Sequence, residues 1–379
     1  MRLFDNLHID FMAKRTTFYL LSSAILLFSL ITIAVKGVEF GIDFKGGSEI
    51  ALKFEKPIDI EKMRNAVDKL GIGNVEVKTF GDASGVLLRT ELQELPKNVL
   101  MNVRANIESE MAKVYPGVEK KITDSTSTSI TYSLPDPQTT IVLNNKLNLA
   151  GYQSSLDSSE PTNTKLNVRI GISDLMKEQL SKQFTDNPFK VEKEDRVGPK
   201  VGKELKRDAV LSVILSLLVI LVYLAFRFKF AFAVGAVIAL FHDVLLTLGV
   251  FAALYGVIPG FNLEISVSVV AAFLTLIGYS INDTVIVFDR VREQMKIHKT
   301  LSVEENMNHA INRTMSRTII TVFTVMLTIV ALLIFGGEVL RGFAFALFIG
   351  MITGTYSSIF IASSFVLEYS KRTKGKVTF

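Results

Sequence analysis

Six stretches of the chain are dominated by apolar residues over about 20 positions, the length that crosses a bilayer as a helix. The first stretch carries no charge, and no small-residue cleavage site follows it, which favours a retained anchor over a cleaved signal peptide. The pattern predicts a polytopic α-helical membrane protein with six spans, at 16–35, 208–227, 230–255, 264–288, 315–335 and 342–368.

Residues 36–207, between the first two spans, follow a different pattern of short alternating runs and helical periods. The predicted order is strand, helix, strand, strand, helix, strand, which is typical of a ferredoxin-like α+β domain. Residues 122–185 interrupt this order, and we expect an insertion of short strands or loops followed by a further helix. The predicted elements are strands at 40–54, 75–80, 86–91 and 189–195 and helices at 57–70, 96–114 and 173–184.

The charges are unevenly distributed, and their distribution orients the spans. The 379 residues are 49% hydrophobic and carry a net charge of +5, but residues 37–207 hold 25 basic and 25 acidic groups. With both termini in the cytosol, 15 of the remaining 17 basic residues lie on cytosolic flanks, the exceptions being Lys36 and Arg341. The predicted topology is cytosolic for 1–15, 289–314 and 369–379 and extracytoplasmic for 36–207.

Several classes of chemistry are excluded or disfavoured. The chain has no cysteine, so it has neither disulfides nor thiolate metal sites. It has no Walker-type phosphate loop. An intramembrane hydrolase is disfavoured because no Gly-x-Ser-x-Gly or His-Glu-x-x-His motif accompanies Ser280, His242 and Asp243. We therefore expect no enzyme activity, no metal or organic cofactor, and no nucleic-acid partner.

Asp283 is the most informative polar residue, because a carboxylate within a span costs several kcal/mol unless it is paired, hydrated or protonated. A group balanced between burial and a nearby cation can change protonation as its surroundings move, which a proton relay requires. The alternative is a static carboxylate held by hydroxyls or an ion pair. Arg317 opens the next span at similar depth and is the natural ionic partner, or else an arginine that extends to the headgroups.

A second acidic residue, Asp243, lies halfway along the third span beside His242. A buried histidine can shuttle protons, although vicinal side chains diverge by about 100° on a helix. The pair therefore indicates either a proton path or a polar packing contact. Asn282 and Thr284 flank Asp283, and we expect them to support it.

Two glycine-containing blocks border the extracytoplasmic segment and are candidate joints between it and the membrane, although a lone Gly-Gly pair more often marks a turn or bulge. A further pair of glycines, four residues apart in the last span, predicts close helix packing. The residues are Asp43, Gly46 and Gly47 in the first block, Gly198 and Pro199 in the second, and Gly350 and Gly354 in the last span.

Six blocks in the right order give the chain a resemblance to the SecF branch of the SecD/SecF family, and to half of an RND-type transporter. The 122–185 insertion makes the extracytoplasmic domain longer than the compact version usual in that family. The blocks are FGIDFKGG (40–47), VGPKVGKEL (197–205), HD (242–243), GYSINDTVIVFDR (278–290), SRT (316–318) and GG (336–337).

The resemblance implies a multi-pass subunit of the Sec protein-export machinery in the bacterial inner membrane. It implies a SecD-like partner chain, the SecYEG channel with its accessory subunits, and an unfolded secretory polypeptide as client. It also implies proton conduction through Asp283 and Arg317, with Asp243 as a further candidate and sodium as the alternative ion. The alternatives are a passive scaffold subunit of the translocase and half of an RND-type small-molecule exporter.

Overall fold

The computed structural model describes residues 8–92, 94–126, 128–157, 164–258 and 261–373. The chain divides into two compact units: a helical unit, Met1–Gly41 with Glu204–Phe379, and a sheet domain, Ile42–Lys203. The expected turn at Pro259-Gly260 and the basic tail from 374 onward lie outside the described residues.

Six helices in the described part of the chain are long and apolar enough to cross a membrane, which confirms the predicted number. TM3, TM4 and TM6 are the central helices, because about half of each apolar stretch is buried by other residues of the chain. We name the helices TM1 to TM6: Arg15–Lys36, Pro199–Arg227, Phe230–Leu254, Val267–Ile297, Val303–Phe335 and Gly337–Arg372.

TM4 and TM5 continue past the predicted spans, so that the segment 289–314 is helical except at 298–302. TM5 begins at a capping box. The hydroxyl of Ser302 accepts the backbone N–H of Glu305 over 3.2 Å, and the Glu305 carboxylate accepts the Ser302 N–H over 2.8 Å. The last part of TM4 and the first part of TM5 are polar, so the hydrophobic pattern stops before them. The predicted spans therefore omit these two segments.

TM6 is not a regular helix throughout. Its two α-helical parts, Gly337–Ser357 and Ser363–Arg372, are joined by one π-helical turn, Ser358–Ala362. Such turns occur mostly as single insertions in α-helices and often at functional sites.

The sheet domain contains eight strands and five helices among the residues that the structure describes. The strands are β1 (Gly47–Phe54), β2 (Glu76–Phe80), β3 (Asp82–Thr90), β4 (Lys121–Ser125), β5 (Ser129–Ser133), β6 (Ser154–Leu156), β7 (Lys165–Arg169) and β8 (Phe189–Val197). The helices are α1 (Ile42–Lys45), α2 (Ile60–Asp68), α3 (Lys97–Val114), α4 (Pro137–Leu149) and α5 (Ile172–Gln183).

The first sheet has the order β2-β3-β1-β8, and all its neighbouring strands are antiparallel. This is the order of the predicted ferredoxin-like fold, but its second helix is α5, which packs on β1 and α2. The assignment of the 96–114 helix to this position was wrong: α3 packs instead against α4. The buried face of α5, which includes Ile172, Met176 and Leu180, explains why it covers this sheet.

The insertion folds as a second four-stranded sheet, β4-β5-β7-β6, rather than as loops. Starting at β5, the elements of this sheet follow in the order β5, α4, β6 and β7, and α3 and β4, which precede β5 in the chain, complete the set. This order of strands and helices is that of the first sheet, so the second sheet is a circular permutation of it. Both sheets contribute to one hydrophobic core, with Ile50 and Leu88 from the first sheet and Tyr132 and Leu166 from the second.

A buried charge network crosses three strands of the first sheet. Arg89 donates from Nε to Glu49 Oε2 over 2.8 Å, and Lys193 donates from Nζ to Glu49 Oε1 over 2.9 Å. Burial lowers the pKa of Lys193, but the carboxylates of Glu49 and Asp195 more than offset burial, so this pKa lies above its ordinary value. These contacts fix the register of β1 between β3 and β8.

Candidate functional site

Three membrane helices meet at the carboxylate of Asp243, which is fully buried in TM3. Its Oδ2 accepts hydrogen bonds from the hydroxyl of Ser280 on TM4, over 2.9 Å, and from that of Ser357 on TM6, over 2.7 Å. A buried carboxylate that accepts several hydrogen bonds is stabilised in its charged form against the cost of leaving water. We call Asp243, Ser280 and Ser357 the three-helix cluster.

Glycines on TM6 make room for this cluster. A Cβ on Gly354 would lie 3.1 Å from Ser280 Oγ and 3.6 Å from Asp243 Oδ2. One turn earlier, a Cβ on Gly350 would lie 2.5 Å from Leu276 Cδ2 on TM4. Both glycines lie at the close approach of TM6 to TM4, as expected of a small-residue packing face.

His242 contacts the cluster directly. Its Nδ1 lies 3.2 Å from Asp243 Oδ1, so the two vicinal side chains meet despite their divergence along the helix. Its Nε2 is buried and has no hydrogen-bond partner among the described residues. The ring centroid lies 6.3 Å from that of Tyr356, whose hydroxyl donates to the carbonyl of Phe18 on TM1 over 2.9 Å.

Asp283 is buried in TM4, one turn after Ser280 and therefore on the same side of the helix. It makes neither a hydrogen bond nor an ion pair with any residue that the structure describes. Arg317 lies close enough for its charge to act on Asp283, but its side chain is exposed on TM5. The structure therefore holds the two groups near each other without a closed salt bridge.

The two residues expected to support Asp283 lie in different environments. Thr284 is buried, and its hydroxyl donates to the backbone carbonyl of Ser280 over 3.1 Å. Asn282 is exposed and makes no hydrogen bond with the described residues, so it lies outside the cluster. Ser357 was not predicted, although it follows Gly350 and Gly354 at helical spacing, and this pattern is the signal that could have identified it.

The expected joint residues of the sheet domain come together. Gly46 has a φ of 76°, and a Cβ there would lie 3.1 Å from Pro199 Cα. Gly47 has a φ of 119°, and a Cβ there would overlap the carbonyl oxygen of Thr90. A Cβ on Gly202 would lie 3.3 Å from the Asp43 carbonyl oxygen. A Cβ on Gly198 would contact only the Val201 side chain. The two blocks thus pack closely, backbone against backbone, within the sheet domain.

A second backbone link involves the start of TM4. Gly41 donates its N–H to the carbonyl of Ile265 over 2.8 Å, and Ile265 donates its N–H to that of Glu39 over 2.8 Å. Phe40 lies between Glu39 and Gly41 in sequence, and the ammonium of Lys206 lies 3.9 Å from its ring centroid. The next residue, Ser266, caps TM4 by accepting the Val269 N–H.

No group of three or more metal-ligating side chains occurs within the described ranges.

Comparisons with known proteins agree with this architecture. Residues 176–372 match the family described as protein export membrane protein SecD/SecF, C-terminal, and residues 31–58 match the SecD/SecF GG motif. The protein translocase subunit SecF of Rhodothermus marinus is 38% identical over 99% of this chain and 98% of its own length. The SecF of Calditerrivibrio nitroreducens is 35% identical over 95% of this chain and 93% of its own length.

The crystal structure of SecDF, a translocon-associated membrane protein from Thermus thermophilus, superimposes with a TM-score of 0.65 and 27% identity. The match covers 98% of this chain and 40% of the SecDF chain. A second SecDF structure, in a super-membrane-facing form, gives a TM-score of 0.56 and 28% identity. This chain thus spans well under half the length of the SecDF chains.

The fold and the three-helix cluster define an integral membrane protein of RND-like architecture that carries a ferredoxin-like domain between its first two spans. Within that class, the chain belongs to the SecF family of bacterial protein translocase subunits. The resemblance drawn from the sequence is confirmed.

Proposed function

We propose that this protein couples proton flow through its helical unit to movement of its sheet domain, and so promotes polypeptide translocation through the SecYEG channel. Asp283 takes up and releases the protons, Arg317 acts on it through its fixed positive charge, and Asp243 is a further carrier. One observation supports this most directly: Asp283 is buried beside the charge of Arg317 without a closed ion pair, one turn from a serine that binds Asp243. A carboxylate held in this way can take up and release a proton.

We propose the proton, rather than sodium, as the coupling ion. The oxygens of Ser280 and Ser357 lie 2.9 and 2.7 Å from Asp243 Oδ2, which are hydrogen-bond distances. Both serine hydroxyls therefore donate to the carboxylate that would take up the proton. Each proton that enters down the membrane potential supplies about 2.3 kcal/mol per 100 mV.

Coupling to the sheet domain would pass along the backbone. TM4 carries Asp283, and the residue before its cap is hydrogen-bonded to Glu39 and Gly41. Gly41 is followed in sequence by Ile42, the first residue of the sheet domain. A shift of TM4 would therefore act directly on the chain that leads into this domain.

A SecD-like subunit is the proposed partner in the membrane. Thr275, Asn282, Arg317 and Thr324 are exposed on TM4 and TM5, although they lie within or at the ends of apolar spans. Polar groups at such positions normally face protein or a water-filled cavity rather than lipid. The part of the SecDF chain that this protein does not match would supply such a cover.

The proposed location is the bacterial inner membrane, with both termini in the cytosol and the sheet domain outside, in agreement with the basic residues at the flanks. The sheet domain would then meet the emerging unfolded polypeptide. We assign no catalytic role to the chain. The competing functions are a passive scaffold subunit and half of a small-molecule exporter. The scaffold predicts that no proton flow depends on Asp283, whereas the exporter predicts proton flow without stimulation of polypeptide export.

Proton uptake into vesicles containing this protein and its SecD-like partner tests the proposal. An imposed membrane potential should acidify the interior when wild-type complex is present, and Asp283→Asn should abolish that signal. Asp289→Asn is the matched control, because Asp289 lies on the same helix and pairs with Arg227 at the surface. Equal uptake by wild type and Asp283→Asn would leave the scaffold function as the better account.

A further inference from the structure

The serines of TM6 differ in the hydrogen-bond acceptors of their hydroxyls. Ser358 donates to the carbonyl of Thr355 over 3.0 Å, and Ser363 donates to that of Ser358 over 2.9 Å, so both serve their own helix. This is the usual behaviour of serine within a helix. Ser357 also reaches Asp243 on TM3, and it is the residue directly before the π-helical turn.

The two hydroxyls on Asp243 Oδ2 are not equivalent. Ser357 has a second acceptor, the carbonyl of Gly354, at 3.1 Å. Ser280 has no other acceptor among the residues that the structure describes. If the carboxylate stops accepting one of its two hydrogen bonds, Ser357 can turn to its own helix, whereas Ser280 would be left without a partner at a cost.

We propose that Ser357 is a positioning residue that ties the protonation of Asp243 to the contact between TM3 and TM6. A proton that binds Oδ2 converts this oxygen from a double acceptor into a donor with reduced acceptor capacity. The Ser357 hydroxyl then donates to the Gly354 carbonyl and its oxygen accepts the new O–H of Asp243, while Ser280 keeps its bond. The hydrogen bond from TM6 to TM3 therefore reverses its direction, and the bond from TM4 to TM3 keeps its own. This inference rests on the proposed function, in which Asp243 takes up protons.

The irregular backbone of TM6 suits this role. The π-helical turn begins at Ser358, so the hydrogen-bond register of TM6 changes immediately after Ser357. A ring in this turn, Phe360, stacks on Phe18 of TM1 with centroids 3.7 Å apart. A change at Ser357 is therefore adjacent to a helix segment that contacts another span.

The titratable groups around Asp243 are few. His242 faces it from TM3, Tyr279 and Asp283 lie on TM4 next to Ser280, and Tyr356 precedes Ser357 on TM6. Any test of the proposal must therefore separate Asp243 from Asp283.

Infrared spectroscopy of the full chain in lipid vesicles makes this separation. The C=O band of protonated Asp243 is assigned by its loss in Asp243→Asn and its persistence in Asp283→Asn. Its pH titration is then followed in the serine variants. Ser357→Ala removes one hydrogen bond that favours the charged form, so the midpoint should move toward higher pH by about one unit.

The matched control is Ser358→Ala, which removes a buried neighbouring hydroxyl that bonds only within TM6. It should leave the midpoint unchanged, and Ser357→Thr, which keeps a hydroxyl, should restore it. If Ser357→Ala does not insert stably, Ser280→Ala should also move the titration midpoint of the Asp243 band toward higher pH. Thr284→Ala is the control for that variant. A midpoint that Ser357→Ala and Ser358→Ala leave equally unchanged overturns the proposal.

A second band distinguishes this result from failure of the proposed function. The proposal predicts that protonation shifts the hydroxyl band of Ser357, identified by its loss in Ser357→Ala, while that of Ser280 stays in place. The midpoint change in Ser357→Ala and the shift of the Ser357 hydroxyl band can both be measured whether or not Asp283→Asn abolishes proton uptake. If they occur and uptake does not depend on Asp283, the serine switch stands and the coupling mechanism fails.

Discussion

Gly41 and Ile265 are joined backbone to backbone, with the Gly41 N–H donating to the Ile265 carbonyl over 2.8 Å. Together with the return bond from Ile265 to Glu39, this makes a short parallel bridge between the chain that leads into the sheet domain and the start of TM4. Backbone hydrogen bonds do not depend on side-chain rotamers, so the proposed coupling through this bridge needs no particular side chain.

Replacing Gly41 with proline should uncouple the two parts of the protein. Proline has no N–H, so one of the two bridge bonds is lost, while the extended conformation of Phe40 remains compatible with a following proline. Gradient-stimulated export should fall several-fold, whereas proton uptake into vesicles should persist. Val38→Pro is the control, since no described residue accepts the Val38 N–H. Export by Gly41→Pro at the level of Val38→Pro would argue against the link.

The Gly46-Gly47 pair should be sensitive to a single added methyl group at its second position. Alanine at Gly47 needs a φ near +119° and places a Cβ on the Thr90 carbonyl oxygen. Gly73 also has a positive φ, of 76°, but there a Cβ would meet only a Leu92 side-chain atom at 3.6 Å. We expect Gly73→Ala to cost about 1–2 kcal/mol, and Gly47→Ala clearly more.

Hydrogen exchange of the β1 and β3 amides in the full-length protein measures both costs as free energies of opening. The comparison sets the larger φ of Gly47 and its contact with Thr90 against an exposed position near the ordinary left-handed region. Similar losses in the two variants would mean that the joint is not tightly packed at Gly47.

The exposed polar positions of TM4 should be covered by the partner subunit. Because the chain has no cysteine, a single introduced cysteine can be cross-linked without background. A cysteine at Asn282 or Thr275 should give a cross-link to the SecD-like subunit in native membranes, and one at Val219, an exposed apolar position of TM2, should not. Labelling of all three by a lipid-soluble maleimide, with no cross-link, would place this face against lipid.

The sequence predicted most of the helical unit because each span is an autonomous signal of length and apolarity. It predicted the candidate carboxylates for the same reason, since Asp243 and Asp283 are acidic residues in apolar surroundings. It did not identify the partners of Asp243, because Ser280 and Ser357 are 37 and 114 residues away in the chain. Helix packing, and not local pattern, brings them together.

The sequence predicted short strands or loops in the insertion but not their assembly into a second sheet, for a different reason. Its strands are short, and β4 is almost entirely exposed, so the alternation that marks a strand is weak. Its circularly permuted order also hid the repeat of the first sheet. The α3 helix was assigned to the wrong sheet because it follows β3 directly in sequence, whereas the helix that covers the first sheet, α5, comes after the whole insertion.

The central claim is that protons moving through Asp283 drive translocation. The most direct test is export of a secretory polypeptide by proteoliposomes that contain SecYEG, this chain and its SecD-like partner, with a proton or a sodium gradient imposed in turn. We expect the proton gradient alone to stimulate export by wild type and Asp289→Asn, and Asp283→Asn to remove that stimulation while assembly is normal. Stimulation that survives in Asp283→Asn, or that only sodium supplies, would contradict this account.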